Sequence, residues 1–304
     1  MATLSGVCRD KTGALVEKFV RANREDTGEI VGSAYSNPTT GAFSITTPLT
    51  GKHTLLMYDS AGDPTYAYGQ LLIPMEGTNG GTTFSDAYGN TVTPTNCTTI
   101  DTTTHFGRSV ASFNGSSSIL TVADAAGVRI GTGGFTIDGW FYLNAYPASG
   151  GYFAIASKYL SANSRWVLYL GNNPTSDSGL RFAFGNGSTI VNAGHANQTA
   201  TLSSLGIALS TWYYYKVVRK NGTVTVQLGA SVLPKTLSSN SYDLSYATAP
   251  VVIGAQNGGV FFNGLQQGFR QALFARDTSV PTEPHRGAFT CVEKTEVYSG
   301  VVSV

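Results

Sequence analysis

The sequence predicts an all-β protein, a small N-terminal β-sandwich followed by a larger two-sheet jelly roll, on three observations. Apolar side chains alternate at period two, most clearly in Phe135-Thr136-Ile137-Asp138-Gly139-Trp140-Phe141-Tyr142-Leu143. Gly, Asn, Asp and Pro clusters separate many short runs of this kind. Asn221-Gly222 lies between two alternating segments, as a two-residue hairpin loop does.

The first unit covers residues 1–69. Ser5-Gly6-Val7 opens a strand, and Asp10-Lys11-Thr12-Gly13 supplies a turn. Val16 to Asn23 reads as a second strand and Glu29 to Tyr35 as a third, with Asp26-Thr27-Gly28 between them. Ala42 to Thr46 and His53 to Tyr58 complete the set. No helical period appears in this stretch, and the spacing suits a small sandwich.

The segment Val7-Cys8-Arg9-Asp10-Lys11-Thr12-Gly13-Ala14-Leu15-Val16 resembles the opening of carboxypeptidase-regulatory-like domains. Arg21 to Ser33, with Thr40-Gly41-Ala42-Phe43, is similar to the version found in bacteriophage tail and virion proteins. The resemblance covers about the first 60 residues and implies a non-catalytic spacer or attachment module.

The second unit covers residues 70–285. It opens with Leu71-Leu72-Ile73 and continues through His105 to Gly115 and Ser118 to Val122 to the organising strand at Phe135–Leu143. Trp166, Leu168 and Leu170 share one face of the next strand, and Leu180, Phe182 and Phe184 share one face of another. Trp212 to Arg219 and Thr223 to Leu228 flank Asn221-Gly222. Val251-Val252-Ile253 and Leu265 to Phe274 close the unit. So many strands with Gly and Asn turns imply two packed sheets.

Phe106-Gly107 with Ala111 to Gly115, Phe135 to Leu143, Thr211-Trp212-Tyr213, Arg219 to Gly222, Phe262-Asn263-Gly264 and Phe269-Arg270 together resemble the laminin-G-like, concanavalin-A-like superfamily. The resemblance spans roughly residues 70–280. The acidic pair that the family often carries before its last aromatic-arginine step is replaced by Gln267 and Gly268, flanked by Gln266 and Gln271. Residues 286–304 form a strand-like tail that either finishes a sheet of its own chain or adds to a neighbour's edge.

Only 12% of residues are charged, about half the usual fraction. A surface rich in Gly, Ser, Thr and Asn tolerates close packing of copies and suits a homo-oligomer or multicopy assembly. The formal net charge of +1 argues against electrostatic capture of nucleic acid or an anionic membrane. Lys216, Arg219 and Lys220 read as the solvated end of a strand. Cys8, Cys97 and Cys291 have no disulfide or zinc spacing and read as buried or idle thiols. Met1 to Asp10 has no basic flank followed by an apolar run, so assembly in a host cytoplasm is expected.

Relatives in the superfamily include polysaccharide-cutting enzymes, whose chemistry needs two carboxylates flanking the sugar bond. Between Gly77 and Thr282 there is no glutamate, and the aspartates are scattered singly. No nucleophile elbow and no His-carboxylate metal trio is present in the sequence pattern. Hence no catalytic residues and no cofactor are expected. Calcium is the one candidate that the resemblance suggests, through Asn172, Asn173, Asp177 and Asn186. Sugar binding is open, with Trp140, Trp166 and Tyr214 as stacking candidates and Asn172 and Asp177 as hydrogen-bonding ones. The expected function is a non-enzymatic structural protein of a phage tail or external appendage, contacting other virion proteins and host-surface polysaccharide. The alternatives are a secreted carbohydrate-binding lectin module and a capsid decoration or head-fibre protein.

Overall fold

The computed structural model describes residues 2–8, 15, 18–24, 30–37, 39–47, 53–59, 71–174, 178–195, 200–238, 240–246, 248–256, 259–273, 275 and 280. The chain divides into two compact units, the first ending its N-terminal stretch at Tyr68 and the second beginning at Gly69. The tail at 286–304, Cys291 and Asp177 lie outside the described residues.

The first unit has five strands, β1 (Ala2–Val7), β2 (Lys18–Arg24), β3 (Ile30–Tyr35), β4 (Ala42–Thr47) and β5 (His53–Asp59). β1 pairs with β4, and β2 lies between β3 and β5, all antiparallel. Leu4, Phe43 and Ile45 from the two-stranded sheet meet Val20 and Ala22 from the three-stranded one, with Cys8 buried beside them. This is the small sandwich that the alternation predicted. Asn37 shapes the loop before β4 by accepting the N–H groups of Thr39 and Thr40 at its Oδ1.

The second unit holds β6 (Leu71–Ile73), β7 (Val92–Thr95), β8 (Thr98–His105), β9 (Arg108–Asn114), β10 (Ile119–Val122), β11 (Phe135–Leu143) and β12 (Tyr152–Ser161). It continues with β13 (Ser164–Gly171), β14 (Gly179–Gly185), β15 (Ile190–Gly194), β16 (Trp212–Lys220) and β17 (Thr223–Leu228). It ends with β18 (Ser231–Val232), β19 (Val251–Ile253), β20 (Ala255–Gln256), β21 (Val260–Phe261) and β22 (Asn263–Ala272). One sheet runs β15-β14-β13-β12-β19-β10-β7. The other runs β18-β17-β16-β11-β22-β9-β8, with β6 also on β22. Their inner faces share one core: Phe135, Ile137, Phe141 and Leu143 meet Trp166, Leu168, Leu170, Phe182 and Phe184. The Phe135 and Phe182 rings lie 5.8 Å apart. An all-β, two-sheet jelly roll is therefore the fold of this unit.

Local chemistry explains several joints. Asn221 and Gly222 both have positive φ, 49° and 73°, as the tight hairpin between β16 and β17 demands. On β11, Gly139 faces the core opposite Tyr215, and a Cβ there would meet the Tyr215 hydroxyl at 2.7 Å. The absent side chain makes room for a whole phenol ring. The register between β11 and β22 slips at this point, and Gly268, at φ 67°, supplies the extra bulge residue.

β22 carries buried amides on either side of Gln267 and Gly268. Gln266 Nε2 donates to the Ile155 carbonyl across the core, and Gln271 Nε2 donates to the Val128 carbonyl. The Lys216–Lys220 end of β16 differs from expectation. Arg219 is only 1% exposed, because its guanidinium donates to the carbonyls of Gly131, Gly133 and Tyr242 at 2.6–2.7 Å. It ties down the glycine run that leads into β11. Lys216 is also buried, at 5% exposure.

The far side of β11 is also covered. Asp138 sits under a cluster in which Arg270 Nε donates to Oδ1 at 2.7 Å, Arg270 Nη2 donates to Oδ2, and the Tyr214 hydroxyl donates to Oδ2 at 2.7 Å. Removing the carboxylate with Asp138→Ala strands a buried guanidinium. The expected loss of stability is about 3–5 kcal/mol, read by urea denaturation of the full chain.

Cys97 is buried and its thiol donates to the Ser112 carbonyl at 3.4 Å. Burial pushes that thiol up to about 12. Cys97 is therefore expected to resist a disulfide thiol probe at pH 8 until denaturant is added, which peptide mass spectrometry of the labelled chain will show.

Candidate functional site

Strand parity separates the outer face of the seven-stranded sheet from its core. On β13, Trp166, Leu168 and Leu170 point inward, so Arg165, Val167 and Tyr169 point outward. Cross-strand pairing continues that surface sideways. Tyr169 stands opposite Ala154 and Arg181, and Val167 opposite Ser157 and Ala183. Ala183 in turn faces Asn192. Here the sheet bears a groove of about 300 Å³, lined by Tyr152, Arg165, Tyr169, Asn173, Asn192 and Gln256 among others.

Each side chain in the groove has a reason for its place. The Tyr152 and Tyr169 rings contact each other at 5.1 Å, giving an aromatic wall. The Tyr152 hydroxyl donates to Gln256 Oε1 at 3.1 Å, which ties β12 to β20 at the rim. The Gly150-Gly151 turn lies on the lining, and Gly150 N–H donates to the Asn172 carbonyl at 2.9 Å. The Arg165 guanidinium lies over the Tyr159 ring at 5.4 Å, and that of Arg181 lies over Tyr169 at 5.6 Å. The surface thus combines ring faces, amides and cationic donors. No carboxylate belongs to its described lining.

The residues that the sequence singled out are dispersed. Trp166 is 0% exposed in the core, packed against Phe182, and cannot stack on a ligand. Its alternation with Leu168 and Leu170 already placed it there. Tyr214 faces outward but is 1% exposed and committed to Asp138. Trp140, 8% exposed, is roofed by the turn between β8 and β9: the Phe106 ring lies 5.2 Å away and the His105 ring 4.4 Å away. Asn172 borders the groove but works inward. Its amide donates to the Pro147 carbonyl, and its Oδ1 accepts the Leu202 N–H. For calcium, the Asn186 Oδ1 is likewise engaged, by the N–H groups of Ser188 and Thr189. Asn173 lines the groove, and Asp177 lies outside the described residues. Among the described residues, no three His, Cys, Asp or Glu side chains are grouped to hold a metal ion.

Other described aspartates hold the scaffold together. Asp86 accepts the N–H groups of Leu72, Tyr88 and Asn90. Asp124 receives Lys158, Arg129 and the Thr248 N–H, and these donors hold its carboxyl well below the usual range. The alternation rule points to Arg165 and Tyr169 as outward-facing. Sequence reasoning missed them because nothing local distinguishes a bare outer face from a roofed one.

His105 stacks on Trp212 at 4.4 Å and is half-buried, with no hydrogen-bond partner at Nε2 among the described residues. Burial lowers its pKa to about 4. A lowered histidine pKa favours the neutral ring in the folded state. Its contribution is complete above the unfolded value, near 6.5, and fades as pH falls towards 4. After a discount for partial exposure, the loss between pH 7 and pH 4 is expected to be about 1–2 kcal/mol. His105→Phe should flatten that part of the stability–pH curve, measured by urea midpoints.

No protein-family model matches the sequence, and no curated protein matches it. Solved structures do share its fold. The binding domain of Paraclostridial Mosquitocidal Protein 1 aligns over 68% of this chain and 49% of its own, with TM-score 0.53 and 12% identity. The binding domain of botulinum neurotoxin DC, solved in complex with rat synaptotagmin II, aligns over 69% and 49%, with TM-score 0.51 and 12% identity. A structure of botulinum neurotoxin type C, whose cell entry is described as dependent upon interaction with two ganglioside molecules, aligns over 70% and 49%, with TM-score 0.50 and 13% identity. The chain spans about half the length of each, and at such identity the likeness is one of fold.

Proposed function

We propose that the larger unit is a non-catalytic carbohydrate-binding module, carried on a bacteriophage tail or other external appendage with the small sandwich as its attachment unit. The observation that carries sugar binding is the groove on the outer face of the seven-stranded sheet. Its Tyr152–Tyr169 wall offers ring faces to a sugar's C–H groups, and Asn173, Asn192, Gln256 and Arg165 surround it with polar groups suited to hydroxyls. The fold-sharing neurotoxin domains show that this architecture occurs in binding domains, but the groove's own residues carry the reading. A described lining without carboxylates supports binding without cleavage, since glycoside hydrolysis needs two.

The virion setting rests on the resemblance of the first 60 or so residues and on the weakly charged surface, which suits multicopy assembly with other virion proteins. Host-surface polysaccharide is the ligand such a position would meet.

A glycan array probed with the purified full chain is expected to return bound oligosaccharides with no reducing-end release. Tyr169→Ala should cut that binding by about 10-fold or more, the scale of one lost stacking contact. Trp166→Phe, a change confined to the core, should leave it within about twofold. Binding that survives Tyr169→Ala unchanged would move the site elsewhere.

A further inference from the structure

The groove carries positive charge and no described counter-charge. We infer from this that its ligand presents a carboxylated sugar, a sialic or uronic acid unit, and that Arg165 receives the carboxylate. This rests on the reading of the groove as a glycan site and narrows it to one chemical class.

Arg165 is placed for that role by the sheet itself. It stands on β13 opposite Tyr159 of β12, and its guanidinium is steadied at 5.4 Å over that ring. Its Nε is buried and has no hydrogen-bond partner among the described residues. A guanidinium stays protonated at any working pH, so this donor is always charged. A buried polar group without a partner costs stability, and a carboxylate offers two acceptor oxygens in the planar geometry that an arginine fork matches. The rest of the described lining is neutral: Asn173, Asn192 and Gln256 provide amides, and Tyr152 and Tyr169 provide rings. A neutral sugar would satisfy those groups and leave the charge unanswered.

Charge count favours a carboxylate over a phosphate. Arg181, 2% exposed, lies behind Tyr169 with its guanidinium 5.6 Å over that ring, and is not part of the lining. One directly available guanidinium balances a monoanion, whereas a phosphate monoester carries nearly two charges at neutral pH.

The test uses the full chain and matched probes in isothermal titration calorimetry: 3′-sialyllactose against lactose, and trigalacturonic acid against its methyl ester. Glucose 6-phosphate and glucose form a third pair. In at least one carboxylate pair the acid is expected to bind about 10-fold tighter than its neutral mate, the worth of one charge-assisted bond, and the pair that responds tells sialic from uronic acid. Arg165→Gln should erase that preference, so that acid and neutral mate bind alike. Arg165→Lys should restore part of it, and added salt should reduce it. Thermal unfolding midpoints within a few degrees of the unsubstituted chain will show that the variants are folded.

Equal binding within both carboxylate pairs, a preference that persists in Arg165→Gln, or a preference found only in the phosphate pair overturns the inference. If acid and neutral mate bind equally and Tyr169→Ala abolishes both, the glycan reading stands and the acidic one falls. If no sugar on the array or in any pair binds, both fall together.

Discussion

A carboxylate, a guanidinium and a phenol hold the middle of the eight-stranded sheet together. Asp138 on β11 accepts hydrogen bonds from Arg270 on β22 and Tyr214 on β16, so three adjacent strands are cross-linked by side chains at one level. All three residues are at most 1% exposed, and such a cluster does not form cheaply. Desolvating two charges costs several kcal/mol each, recovered only when the geometry is good and the remaining lone pairs are satisfied. The rest of the sheet serves that condition. Trp140 and the His105–Phe106 turn keep water out from above, and the Gly139–Gly268 bulge sets the local offset between β11 and β22.

This arrangement explains the division of labour between the two outer faces. One sheet spends its outward side chains on its own cohesion: Trp140, Tyr214, Asp138 and Arg270 are spoken for. Gln267, also outward, donates weakly to the His105 and Ser109 carbonyls and helps hold the covering turn. The other sheet leaves Tyr152, Arg165, Tyr169 and Asn192 half-buried along a groove. A grooved face and a cross-linked face thus coexist on one sandwich, each built from aromatic and charged residues, and composition alone does not tell them apart.

The sequence therefore revealed some features and concealed others, for identifiable reasons. Alternation named the inward residues of β11, β13 and β14 correctly, because strand parity is a local property. The Asn221-Gly222 hairpin was equally legible, because its two left-handed residues are chemically marked. The same parity sends Trp166 to the core, so its candidacy as a sugar-stacking residue set residue type above position. The roof over Trp140 was invisible, since it depends on the His105–Phe106 turn, far upstream, folding across the sheet, which is long-range packing. Arg219 was misread for a related cause. A cation at a strand end is usually solvated, and only the three carbonyls converging from distant loops make burial tolerable.

The position of β22 in the eight-stranded sheet carries a consequence in time. It is the last described strand of the unit along the chain, yet it lies inside the sheet, with β11 on one side and β9 and β6 on the other. A ribosome releases residues from the N-terminus onward, so β6, β9 and β11 emerge long before the strand that joins them. Until residues 263–272 are clear of the exit tunnel, both halves of the sheet present bare backbone edges, and Phe135, Ile137 and Phe141 have an unfinished layer around them. The nascent chain must wait in that state, and such edges recruit other chains. The scarcity of charge on this protein removes one common defence against that, so synthesis in the cell places the burden on chaperones or on rapid capture by the late strand.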